Sequence, residues 1–144
     1  MMIVSTRMNT SYALDGDQSP RDSAEAKEHD ADTSAKLADY DSKAAAAEES
    51  AAQMMPPGFE HDVLIHDAAV HEKLAAYEAR EAAAGYDDAS KLRLQTGSVE
   101  DRAQAAADAK LSRFYDEESA SALQSARRDE GQGLTEHRFA RLIG

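Results

Sequence analysis

Cysteine and tryptophan are absent from this 144-residue chain, proline occurs three times and glycine seven times. Without cysteine there can be no disulfide, no thiol nucleophile and no thiolate metal site. The few glycines form no phosphate-cradling loop and no Gly-x-Ser-x-Gly elbow, so the usual nucleotide-binding and hydrolase motifs are missing. Aromatic residues make up 6% of the chain, and no apolar run approaches the length of a membrane span. The opening Met1-Met2-Ile3-Val4 is too short for a signal peptide, and Arg7 follows it instead of preceding it. These features lead us to expect a protein that is soluble and intracellular, in a host cytoplasm or in a particle assembled inside a cell, and not transmembrane.

What fills the chain is alanine and acid. Hydrophobic residues account for 42%, about half of them alanine, and mean hydropathy is −0.66. At about 0.8 kcal/mol per buried methylene, alanine offsets little of the entropy lost on ordering so long a chain. A thin core of this kind is expected to borrow surface from neighbours. The net charge is −12, and it is unevenly placed. From Ala89 to Gly144 nine basic residues balance nine acidic ones, so the excess lies in residues 1–88. Lacking a basic face, the chain is not expected to bind nucleic acid directly. The acidic front either keeps a solvated helix soluble or meets a basic partner.

Start and stop signals divide the chain into an N-terminal arm (1–18), a helical region (19–130) and a C-terminal tail (131–144), an all-α fold. Ser19-Pro20 is a helix start, with serine as N-cap and proline in the first turn, and Pro56-Pro57-Gly58 ends that helix near Met54. The turn is short enough for a hairpin, although two prolines could also hold the helices apart. A second helix is predicted over about 59–84, with Gly85 just past its end. The four residues Lys91-Leu92-Arg93-Leu94 fit a strand or a helical turn equally well. Ser98, with Asp101 three residues on, resembles a capping box and opens a third helix over about 99–129, broken by Gly131-Gln132-Gly133. The rival reading, a chain disordered in isolation, is opposed by these paired signals.

Leu37, Tyr40, Ala44, Ala47, Ala51 and Met54 recur in steps of three and four, the pattern of a helix-packing seam. Val63, Val70, Leu74 and Tyr77 continue it on the second helix, and Leu111 and Phe114 on the third. The tail residues Arg138, Phe139, Arg141, Leu142 and Ile143 set an apolar edge beside positive charge, suited to docking or to capping the chain's own bundle.

Catalytic and metal chemistry find little support. His61, His66 and His71 recur every five residues, which on a helix turns successive imidazoles about 140° apart. A helical zinc site wants a separation of four. Asp62 and Asp67 stand four residues before His66 and His71, the geometry of surface pairs. No glutamate stands three residues before a histidine, so the di-iron carboxylate pattern fails. No metal, cofactor or catalytic residue is expected, and the chain does not read as an enzyme.

The layout resembles the small helical structural proteins of tailed bacteriophage particles, a class of scaffolding, internal core and head–tail joining components. The shared features are the Ala44–Ala52 and Ala103–Ala109 helical stretches and the Leu134–Gly144 tail. The resemblance implies a structural or assembly role, with partners that are copies of the chain itself or a larger protein assembly such as a virion. Two other functions remain open from the sequence: an acidic nucleic-acid mimic that inhibits a basic protein, and a hydrophilic stress-type protein that is helical only when dehydrated.

Overall fold

The computed structural model describes residues 19–132. They form three helices and, among the described residues, no strand: α1 (Pro20–Gln53), α2 (Phe59–Leu94) and α3 (Val99–Gln132). Each is about 50 Å long at 1.5 Å per residue. Ser19 Oγ accepts the Asp22 N–H at 3.1 Å, capping α1 as its sequence implies. The Pro56-Pro57-Gly58 turn folds α2 back along α1. Gly97, at φ +73°, takes the left-handed conformation that turns the chain into α3, where Ser98 Oγ accepts the Asp101 N–H at 3.0 Å.

The central helix is α2. It packs extensively on both α1 and α3, whereas α1 and α3 barely touch each other. The bundle is therefore open on one side, with a groove of about 630 Å³ between α1 and α3, floored by Ala75, Ala79 and Tyr86 of α2.

The interfaces are alanine, repeated every seven residues. Ala24, Ala31, Ala38, Ala45 and Ala52 of α1 are all buried, as are Ala68, Ala75, Ala82 and Ala89 of α2. Ala69, Ala76, Ala83 and Ser90 form a second line on α2, facing Ala105, Ser112, Ser119 and Ala126 of α3. An unbroken heptad is the repeat by which helices keep one seam together over many turns. Small side chains bring the backbones close enough for serines to donate across the seam. Ser90 Oγ donates to the Ala105 carbonyl, and Ser119 Oγ to that of Ala76, both at 2.8 Å.

Two sequence expectations are corrected here. Gly85 does not end α2, which continues to Leu94 and takes in Lys91-Leu92-Arg93-Leu94 as helix. Gly85 instead serves packing, since a Cβ there would lie 2.9 Å from Ala31 Cβ and 3.3 Å from the Lys27 carbonyl oxygen. Gly131 likewise lies inside α3, which is described as far as Gln132.

Candidate functional site

The large apolar residues of the predicted seam do not line the interfaces within the chain. Leu37, Tyr40 and Met54 are exposed, Tyr40 at 69%; Ala47 is exposed, and Ala44 and Ala51 are half-buried. The intramolecular seam lies one residue along, at Ala38, Ala45 and Ala52, about 100° around the helix. A Leu or Tyr could not fit where backbones approach this closely, so the larger side chains are excluded from the seam. On α2, Val63 is half-buried while Val70, Leu74 and Tyr77 are exposed, Tyr77 at 61%. On α3, Leu111 and Phe114 are exposed as well. The tail residues Arg138, Phe139, Arg141, Leu142 and Ile143, like the arm 1–18, lie outside the described residues.

The line of side chains that α2 turns toward the open side carries polar chemistry at both ends: Ile65, Glu72, Ala79, Tyr86 and Arg93, seven residues apart. At one end Arg93 forks onto Glu28 of α1 at 2.7 and 2.8 Å and donates to Asp101 of α3 at 2.8 Å. Asp101, 1% exposed, also accepts from Arg21 at 2.6 Å, Thr96 at 2.6 Å and Ser98 at 2.9 Å. The hydrogen bonds from Arg21, Thr96 and Arg93 hold its carboxyl well below the usual carboxylate range. Arg93 does the same for Glu28. Beside them, burial and the neighbouring Glu28 push Asp108 up to about 6.

Two turns along, Tyr86 donates to Asp32 and stacks on Tyr115, the ring centroids 5.8 Å apart. Phe114 meets Tyr115 edge-on at 5.0 Å. These rings close one end of the groove.

At the other end one carboxylate from each helix converges: Glu49 of α1, Glu72 of α2 and Asp129 of α3. One oxygen from each lies within 4.8 Å of the others. Glu72 and Asp129 are buried, at 5% and 3% exposure, and Glu72 Oε2 and Asp129 Oδ2 have no hydrogen-bond partner. Burial, reinforced by Glu49 and Asp129, pushes Glu72 up to about 9. Arg128 reaches the rim and attracts Glu49 and Asp129. The three acids titrate as a unit that takes up protons on folding. Such a layer can hold a proton or a cation.

The histidines are partly as expected. His71 pairs with Glu48 across the α1–α2 interface at 2.8 Å rather than with Asp67 on its own helix, and His61 contacts Asp62 at 3.1 Å. His66 is exposed, so the three imidazoles share no site. Sequence reasoning missed the carboxylate layers because acids on a helix normally face water. The signal that could have found them is the heptad itself: Glu28 and Glu49 fall on the inner row of α1, between the alanines, and Asp101, Asp108 and Asp129 fall on one seven-residue row of α3.

Stability should fall as pH rises from about 5.5 to about 8.5, by on the order of 2 kcal/mol. Glu72 and Asp108 have raised folded pKa values, so the folded chain keeps protons that the unfolded chain has lost. Their contribution is complete below the ordinary carboxylate range and is lost as pH rises through about 6 for Asp108 and about 9 for Glu72. His71, raised by its hydrogen bond to Glu48, adds in the same direction, losing its contribution above its raised value. Glu28 and Asp101 act oppositely, their contribution being lost as pH falls below the usual carboxylate range. Thermal melts across this range check the slope, and Glu72→Gln should flatten it.

Comparison with protein families, with curated proteins and with solved structures gives no match.

Proposed function

We propose that this chain is a non-enzymatic assembly protein that packs in multiple copies or onto a larger particle such as a phage virion. One observation carries the reading: the helix seams are closed mainly by alanine, while most large apolar side chains, Ile65 and Tyr86 excepted, are partly or fully exposed. Val70, Leu74 and Tyr77 share the outer face of α2 in steps of four and three, a row suited to packing on another helix. A strip on one helix is self-complementary about a two-fold axis, so a second copy of the chain is the natural partner. Leu37 and Tyr40 on α1, and Leu111 and Phe114 on α3, are exposed as well.

The acidic-mimic reading rests on exposed acids such as Asp22, Glu25, Asp30 and Asp39 of α1, whereas Glu72, Asp101, Asp108 and Asp129 are buried at the helix interfaces and do not contribute to it. Light scattering behind a sizing column, over a tenfold concentration range, tests the proposal. A defined oligomer is expected; a monomer at every concentration would contradict self-assembly.

A further inference from the structure

We infer that Glu49, Glu72 and Asp129 form a binding site for a hard divalent cation, for which calcium is the probe. Each carboxylate comes from a different helix, and their donor oxygens already lie within 4.8 Å of one another. Oxygen ligands on calcium sit at about 2.3–2.6 Å, so two on opposite sides of the ion are about 4.6–5.2 Å apart. The three carboxylates therefore reach a common ion by small side-chain rotations. Zinc favours nitrogen and sulfur ligands, so a set made only of carboxylates suits a hard cation better.

The second observation is the unpaired oxygens. Glu72 Oε2 and Asp129 Oδ2 are buried without a donor. A buried acceptor left unmet is costly, and Arg128 at the rim meets neither of them. A cation at the centre of the cluster would satisfy both and offset the mutual repulsion of the three acids. Glu49 and Glu72 line a smaller hollow of about 210 Å³ beside Ser42 and Ser125, where water can complete the coordination shell.

The test uses the full chain, freed of metal by a chelator and titrated with calcium chloride at constant ionic strength. One ion per chain and a melting temperature raised by several degrees at millimolar calcium are expected. Glu72→Gln and Asp129→Asn should each abolish the rise. Manganese, used as a paramagnetic substitute, should broaden amide resonances around residues 49, 72 and 129 in the unmodified chain. No shift beyond a sodium chloride control would overturn the inference, as would an equal shift in Glu72→Gln or broadening centred elsewhere.

Discussion

Replacing Arg93 by alanine is expected to destabilise the fold by about 3 kcal/mol or more, the largest effect of any single polar substitution in the described residues. The side chain is only 11% exposed and joins all three helices, forking onto Glu28 of α1 and reaching Asp101 of α3. Its removal would leave Glu28 without its bidentate partner and remove one of two cations from Asp101. Asp108, already raised by Glu28, would face a more negative neighbourhood. The ion pair itself adds little net stability over a well-packed apolar substitute, so Arg93→Ala measures mainly the penalty of stranding its acids. The double variant Arg93→Met with Glu28→Leu should accordingly recover much of the loss. Urea denaturation of the three proteins checks both statements.

Gly85→Leu is expected to cost about 3 kcal/mol, at the upper end of overpacking penalties. The reason is steric, since even the first carbon of a side chain would lie 2.9 Å from Ala31 Cβ, which cannot move without its backbone. Gly85→Ala should cost less, because the better helix propensity of alanine returns about 1 kcal/mol. Were Gly85 a left-handed C′ residue, as its sequence context suggests, alanine and leucine would cost about the same 1–2 kcal/mol, because the penalty comes from the Cβ alone. Melting temperatures of the two variants therefore separate a packing glycine from a capping one.

How much of this was legible in the sequence depends on which residues carried the signal. Ser19-Pro20, Pro56-Pro57-Gly58 and Ser98 with Asp101 mark helix ends through backbone chemistry that acts locally, and the structure places ends where they predict. Gly85 misleads because a glycine past an apolar run looks the same whether it caps a helix or admits a neighbouring one; only the approach of Ala31 distinguishes the cases. The seam was displaced by one residue because Leu37, Tyr40 and Met54 are more hydrophobic than Ala38, Ala45 and Ala52. Hydrophobicity, however, gives way to shape when helices pack at close range. The acid layers were hidden for a related reason: Glu49, Glu72 and Asp129 are far apart in the chain, and no local pattern announces that three helices bring them together.

The central proposal is that small residues close most of the seams within this chain while its exposed large apolar residues hold it to something else. The most direct measurement compares the chain with its Leu74→Ser, Tyr77→Ser double variant, by light scattering over a concentration series and by melting at high dilution. The account predicts that the variant loses association but melts at the same temperature as the dilute unmodified chain. A variant that melts far lower at high dilution, with its oligomeric state unchanged, would place these side chains in the fold and contradict the account.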